Sequence, residues 1–111
     1  MVNVEILSPW TPAHQAVESG DMLELVRLLE DGADPEEVCC GMTLLMHAID
    51  IEGDSAVQSG KEMEAKATAI VLAYGADPLR LSPSGESPVE AARSYGHGRA
   101  LLLLEAYRSL V

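Results

Sequence analysis

Phenylalanine is absent from the chain, and tyrosine and tryptophan together supply only 4% of its 111 residues. Hydrophobic residues make up 48% of the chain, so its core must consist mainly of leucine, alanine, valine and methionine side chains. Leucine, alanine and methionine favour helices, whereas strands prefer aromatic and β-branched residues. The composition therefore predicts a helical protein, and the length predicts one domain that is large enough to bury a core.

Basic residues are also scarce, since 7 Lys and Arg stand against 18 Asp and Glu, a formal net charge of −11. Residues 1–57 contain twelve acids and a single base, Arg27, whereas residues 58–111 contain six acids and six bases. A chain without a positive surface is poorly suited to the nucleic acid backbone. The acidic half would instead attract a basic protein partner; the alternative is that it only keeps the protein soluble.

No hydrophobic run approaches the ~20 residues that a membrane-spanning helix needs, so no membrane partner is predicted. The start of the chain, MVNVEILSPW, has neither the basic segment nor the apolar core of a secretory signal. Cys39 and Cys40 are the two cysteines, and sequence neighbours rarely close an unstrained disulfide. These features predict a cytoplasmic protein without a disulfide framework.

The tetrapeptide GADP occurs twice, at 32–35 and 75–78, each time after a leucine-rich run. Upstream of the first copy, Thr11 and Pro12 are residues of the types that cap and begin a helix. Further on, apolar residues recur at i, i+3, i+4 and i+7 from Met22, which predicts a second, amphipathic helix. The predicted unit is a helix pair that ends at the glycine of GADP.

The same pattern restarts at Thr43 and at Ser87, and such self-similarity is typical of a solenoid. TPAHQA…G…LVRLLEDGADP resembles the ankyrin repeat, whose pattern is Thr-Pro-Leu-His-x-Ala, a glycine, a leucine-rich helix and Gly-Ala-Asp. SPVEAARSYGHGRALLLL is similar, with Ser87 in the place of threonine, and TLLMHAI is a weaker copy without the proline. The resemblance covers roughly residues 10–108 and implies an all-α ankyrin-repeat solenoid of stacked helix pairs joined by short β-hairpin-like loops.

The resemblance divides the single domain of residues 1–111 into three predicted repeats, at roughly 8–35, 40–78 and 84–110. The separation of Thr43 and Ser87 is about eleven residues longer than the ankyrin period of ~33. We assign the surplus to an insertion at roughly 50–64, which either lengthens the helices or forms a loop. Insertions of this kind can contribute to binding; the alternative is a tolerated surface loop.

Both ends of the chain leave alternatives open. The segment VNVEIL alternates weakly, which is compatible with a short strand or an extended cap. The last helix, RALLLLEAYRSLV, is apolar on nearly every side. Its outer face either binds another copy or a partner, or is covered by residues 109–111.

Histidine occurs once in each predicted repeat, as His14, His47 and His97. The resemblance implies that these residues are structural and that His14 hydrogen-bonds backbone and joins adjacent repeats. A zinc site needs four nitrogen or sulfur ligands close together, which these histidines and the two adjacent cysteines do not supply. Cys39 paired with a histidine would be a nucleophile without a recognisable oxyanion site, so we predict neither metal, cofactor nor enzyme.

Alternating acids in DIEGD, at Asp50, Glu52 and Asp54, are loosely similar to a calcium-binding loop. Such a loop needs glycine at its sixth position and a bidentate glutamate at its twelfth, whereas Gly53 falls at the fourth. We therefore interpret this stretch as a solvated acidic loop.

The resemblance implies a non-enzymatic module that binds a partner protein through a concave face, made of hairpin tips and the exposed sides of the first helices. The acidic charge predicts that the partner is basic; the oligomeric state stays open. The predicted contact residues are Trp10, Glu18, Ser19, Glu36, Glu37, Cys39, Cys40, Met42, Asp50, Ile51, Ser84, Glu86, Ser94 and Tyr95. Trp10 has a second interpretation, as a lid over the first repeat.

Two alternative functions fit the same sequence. One is a bacterial antitoxin or immunity-type protein that inhibits a basic toxin or effector, for which the small size and clustered acids are suitable. The other is a structural assembly subunit that uses the apolar last helix.

Overall fold

The computed structural model of the chain describes residues 10–110. The predicted strand or cap at VNVEIL falls on residues 1–9, outside this part. The elements follow one another as α1 (Pro12–Ser19), α2 (Met22–Glu30), β1 (Val38–Cys39), β2 (Met42–Thr43), α3 (Leu44–Ser59), α4 (Lys66–Ala73), α5 (Pro88–Ser94) and α6 (Gly98–Arg108).

The helices form three consecutive antiparallel pairs that stack in two layers. α1, α3 and α5 pack side by side in one layer, and α4 packs against α2 and α6 in the other. β1 and β2 form an antiparallel hairpin between the first and second pairs, with Val38 opposite Thr43 and Cys39 opposite Met42. The predicted all-α solenoid of helix pairs is confirmed.

Each helix of the first layer starts at the residue where the sequence pattern restarts. The side chains of Thr11, Thr43 and Ser87 cap α1, α3 and α5 by accepting a hydrogen bond from the backbone three residues further on. Glu90 completes a capping box by accepting a hydrogen bond from the Ser87 backbone at 2.9 Å. Caps of this kind contribute about 1 kcal/mol each, so the pattern marks helix starts because it encodes their stability.

The two GADP copies end α2 and α4 in the same way. Gly32 and Gly75 have φ values of 104° and 108°, a conformation that costs glycine little and other residues much. The next N–H in each copy, of Ala33 or Ala76, donates to the carbonyl five residues earlier at 3.0 or 3.2 Å. Because this bond satisfies a free carbonyl of the helix end, the tetrapeptide recurs where the second helices of the first two pairs stop.

One continuous hydrophobic core lies between the two layers. Leucine and isoleucine fill it, and burying each such side chain contributes about 2 kcal/mol. Buried alanines in both layers let the helices approach closely, so the lack of phenylalanine leaves no gap. The largest apolar side chains that are fully buried are Leu25, Leu44, Ile49, Leu72, Leu104, Val17 and Val71.

The surplus residues of the second repeat lengthen its first helix. α3 has 16 residues, compared with 8 in α1 and 7 in α5, and a connection over residues 60–65 leads to α4. The interpretation of DIEGD as a solvated loop is wrong, because residues 50–54 lie within α3. The Glu52 side chain there is only 8% exposed, since the helical period turns it towards α4.

α6 keeps an apolar outer surface. Ala100 and Leu104 face the core, whereas Leu102 is 74% exposed. Ser109 and Leu110 continue in a turn after the helix, and Leu110 is itself 77% exposed. These two residues therefore do not cover the helix.

Candidate functional site

A cleft opens on the face formed by α1, α3 and α5 and by the segments that precede α3 and α5, which we call the inner face. The cleft, called the inner cleft below, has a volume of about 210 Å³ and lies between α3, α5 and the turn over residues 82–86. Five of the predicted contact residues meet there. Its lining consists of Met42, Met46, Asp50, Ser82, Glu86, Ala91, Ser94 and Tyr95.

A short hydrogen bond organises the polar side of the inner cleft. The Tyr95 hydroxyl donates to Oδ1 of Asp50 at 2.5 Å. This bond, burial and the negative charges of Asp50, Asp54 and Glu86 raise the pKa of Tyr95 to about 12. Three carboxylates therefore converge around a phenol that stays protonated and keeps Asp50 in place.

The three acids beside Tyr95 differ from other acids of residues 10–110 in their charge partners. Within residues 10–110, Asp50, Asp54 and Glu86 form no ion pair within 4.0 Å, whereas other acids do. Met42 and Met46 also line the cleft, and their flexible thioethers adapt to irregular shapes. The inner cleft thus combines an apolar wall with unneutralised negative charge.

A second, larger groove lies at the level of the turns within the helix pairs. It measures about 460 Å³ and includes the predicted contact residues Glu18, Ser19 and Ile51. The second half of α3 and the connection to α4 form its other wall, with Lys61 and Lys66 beside Glu62 and Glu64. Both signs of charge occur in this side groove, whereas the lining of the inner cleft contains acids and no basic side chain.

Glu36 and Glu37 already have partners inside the protein. The Glu36 carboxylate accepts a hydrogen bond from the Asp77 backbone at 2.7 Å, and the Glu36 carbonyl accepts one from Arg80 at 2.7 Å. The Glu37 carboxylate accepts from the Thr11 hydroxyl at 2.7 Å. These two acids connect successive repeats to one another.

A histidine pair joins the first and second repeats beneath Trp10. Nδ1 of His14 lies 2.8 Å from Nδ1 of His47, and Nε2 of His14 lies 3.3 Å from the Glu37 carbonyl. Burial lowers the pKa of His14, with the hydrogen bond to that carbonyl opposing the shift. His47 in turn contacts Glu18 at 2.8 Å, so the structural role implied for His14 is confirmed.

The Trp10 ring stacks on this pair, with its centroid 4.6 Å from that of His47 and 6.2 Å from that of His14. Trp10 is half-buried. It therefore covers the histidines and still presents part of its ring at the surface, as both of its predicted roles require.

A buried acid from α3 caps α4. Glu52 accepts hydrogen bonds from the Thr68 hydroxyl at 2.6 Å and from the Ala67 backbone at 2.9 Å, and it lies 3.2 Å from Nε2 of His97. α4 has no capping side chain of its own, since Ala65 occupies the cap position. Burial raises the pKa of Glu52, against the hydrogen bonds from Thr68 and His97.

The remaining predicted residues sit at the turns that precede α3 and α5. Cys39 is the last residue of β1 and Cys40 follows it at the tip of the β-hairpin, and the Ser84 hydroxyl lies 2.8 Å from that of Ser82. Met46, Ser82 and Ala91 line the inner cleft but were not predicted from the sequence. Met46 could have been found from its position one helical turn before Asp50 in α3, whereas Ser82 depends on the fold of its turn.

Both the sequence and the fold are similar to those of known proteins. The family model described as ankyrin repeat matches residues 10–39. A crystal structure of an ankyrin repeat domain from Acinetobacter baumannii AYE is similar over 89% of this chain, with a TM-score of 0.75 and 26% sequence identity. The chain has the fold of an ankyrin-repeat solenoid. It spans about half of that solved chain, 48% of its length, and no curated protein matches it.

Ankyrin repeats are generally protein–protein interaction modules and are typically non-enzymatic. In the part of the chain that the structure describes, no group of three or more His, Cys, Asp or Glu side chains could hold a metal ion. No helix within the described residues is both long and apolar enough to cross a membrane.

Proposed function

We propose that this chain is a non-enzymatic module that binds a basic segment of a partner protein on its inner face. The observation that supports the proposal is the inner cleft, where Met42 and Met46 lie beside carboxylates that form no ion pair with a basic side chain of residues 10–110. Negative charge of this kind steers a positively charged partner towards the face and favours its orientation there.

The chemistry of the cleft fits a lysine or arginine side chain. Such side chains have a long apolar stem and a cationic head, which match the methionine wall and the carboxylates of Asp50 and Glu86. A volume of about 210 Å³ is smaller than the roughly 300–1,000 Å³ of typical small-molecule sites. The cleft therefore suits one side chain of a protein partner better than a separate small ligand.

The inhibitor hypothesis is a narrower form of this proposal, since a basic toxin or effector would engage the same acids. The assembly hypothesis uses a different surface. Leu102 and Leu110 are 74% and 77% exposed at the α6 end of the stack, and an apolar end is suited to contact with another copy. Cytoplasmic location stays a prediction for all three.

The test uses methyl NMR of methionine-labelled protein, titrated with a lysine- and arginine-rich peptide at low salt. We expect the signals of Met42 and Met46 to shift, and those of Met22 and Met63, which lie outside the inner cleft, to stay in place. A glutamate-rich peptide of equal length should shift none of them. High salt should reverse the shifts, because charge attraction at an exposed site is screened.

Two charge-matched double variants decide where the peptide binds. D50N/E86Q should weaken binding by about tenfold or more, since each desolvated charged contact contributes roughly 1.5–3 kcal/mol. D31N/E105Q removes the same charge from α2 and α6 and should leave the affinity nearly unchanged. Equal weakening by both variants would mean that the peptide responds only to net charge, and the proposal would then fail.

A further inference from the structure

The tip of the β-hairpin holds a cysteine in an unusual backbone conformation. Cys40 and Gly41 are the two residues between β1 and β2, and their φ values are 56° and 83°. A two-residue loop with both φ values positive is the type I′ turn, which prefers Asn-Gly or Asp-Gly. Cys40 is the only non-glycine among residues 10–110 with positive φ, so a residue disfavoured by the backbone occupies this place.

The turn brings the two thiols together at the surface. Sγ of Cys39 lies 3.4 Å from Sγ of Cys40; Cys39 is half-buried and Cys40 is exposed. The hydrogen bond between the thiols raises the pKa of Cys40. Cys40 therefore remains a thiol at neutral pH, which reduces its reactivity towards reagents that need a single thiolate.

The separation of the sulfurs limits what can bridge them. A direct disulfide needs about 2.05 Å and usually Cα atoms at least ~4.4 Å apart, whereas Cα atoms across a trans peptide are about 3.8 Å apart. A linear metal site would need sulfurs about 4.6 Å apart, twice a metal–sulfur bond of ~2.3 Å. A tetrahedral metal would need two further ligands, and the described residues offer no such cluster.

At a bond length of ~2.3 Å, sulfurs 3.4 Å apart subtend an angle of about 95° at the bridging atom. An angle near 95° is typical of a pyramidal centre with three bonds, two of which can go to sulfur. Trivalent arsenic has this geometry, and as a soft centre it prefers thiolate ligands.

We propose that Cys39 and Cys40 form a dithiol site for trivalent arsenicals that carry one organic group. Two As–O bonds of the hydrated arsenical break and two As–S bonds form. The proton of each thiol leaves with a departing hydroxyl as water, and arsenic stays trivalent. This inference is independent of the proposed partner binding.

Phenylarsine oxide is the probe, and native mass spectrometry of the reduced protein is the measurement. We expect one phenylarsenic group per chain, retained in excess glutathione and removed by 1,2-ethanedithiol. Chelation raises retention because the second thiol acts at high effective concentration, so loss of either thiol should weaken binding roughly 100-fold or more.

C39S and C40N are the single-thiol variants, and C39S/C40N gives the background. Asparagine is favoured in the type I′ turn, so C40N should fold at least as well as the parent, which circular dichroism can verify. The site would be refuted if either single variant retained the arsenical in glutathione as well as the parent. It would also be refuted if glutathione removed the arsenical from the parent.

Discussion

The backbone of Gly53 lies directly against the ring of Tyr95. A Cβ atom at Gly53 would stand 2.3 Å from Cγ of that ring and less than 3.0 Å from Cδ1 and Cδ2. α3 and α5 can therefore approach this closely only with glycine at this position. The contact also holds the Tyr95 hydroxyl beside Asp50, so packing between two repeats sets the geometry of the inner cleft.

Replacing Gly53 by alanine should destabilise the protein although alanine is the better helix former. Helix propensity favours the change by about 1 kcal/mol. The clash falls on the rigid base of the ring, however, and overpacking of this kind costs about 1–3 kcal/mol. We expect a net loss in urea unfolding, together with a fall of the Tyr95 pKa as the ring leaves Asp50.

G98A is the matched control for that substitution. Gly98 is also helical, in the first turn of α6, and a Cβ atom there would meet no atom within 4 Å. This variant should be neutral or slightly stabilised. If G53A were as stable as G98A and kept the Tyr95 pKa, close packing of Tyr95 on Gly53 would not control the cleft.

Changing Glu52 to glutamine should loosen the junction of the second and third repeats. Glutamine has one acceptor oxygen in place of two, so a hydrogen bond from Ala67 or Thr68 is lost. Leaving a buried donor unsatisfied costs about 1–3 kcal/mol. Urea unfolding at neutral pH measures this loss, and amide hydrogen exchange should locate it in the first turn of α4. An equally protected α4 in E52Q would contradict the capping role.

The stability difference between the parent and E52Q should also depend on pH. Because burial raises the pKa of Glu52 above its ordinary value of 4.5, the folded state retains a proton that the unfolded state has already lost. This contribution is complete below 4.5 and disappears as the pH rises through the folded-state value. Unfolding free energies of both proteins on the acid side of neutrality should therefore show the advantage of the parent shrinking as pH increases. A difference in unfolding free energy that stayed constant with pH would contradict a raised pKa of Glu52 in the folded state.

His14 should give the opposite dependence. Burial lowers its pKa below the ordinary 6.5, so the neutral ring is favoured in the fold. This contribution is present above 6.5 and is lost as the pH falls through the folded-state value. H14Q should cost about 1–3 kcal/mol at pH 8, since His47 and the Glu37 carbonyl lose a buried partner. Thermal melts should show the parent losing more stability than H14Q on acidification; parallel curves would be inconsistent with a neutral buried ring.

Features that depend on neighbours in sequence were predictable. Thr11 accepts a hydrogen bond from a backbone N–H three residues away. Gly32 follows directly after the end of α2 and terminates that helix. Caps and turns of this kind are local, and the spacing between them gave the repeat length and the size of the insertion.

Features that depend on contacts between repeats were not predictable in the same way. The acids around Glu52 suggested a solvated loop because the groups that bind it, in Thr68 and His97, lie 16 and 45 residues further along the chain. Glu36 was expected to contact a partner, yet its hydrogen bonds reach Asp77 and Arg80, 41 and 44 residues away. The concave face implied by the ankyrin resemblance included Met42, Asp50 and Tyr95 among the predicted contact residues. The cleft that these three residues line together depends on how two repeats stack.

Titration of the tyrosines tests the arrangement of the inner cleft directly. D50N leaves an oxygen that can accept from the Tyr95 hydroxyl but removes the nearest negative charge, so the pKa of Tyr95 should fall from about 12 towards its ordinary value of 10.0. Glu30 raises the pKa of Tyr74 in the same manner through its own hydrogen bond. NMR of labelled tyrosine should therefore show D50N shifting Tyr95 alone and E30Q shifting Tyr74 alone. If D50N left Tyr95 unchanged, the phenol would not be oriented by Asp50, and the cleft would lack the fixed carboxylate on which recognition of a basic side chain depends.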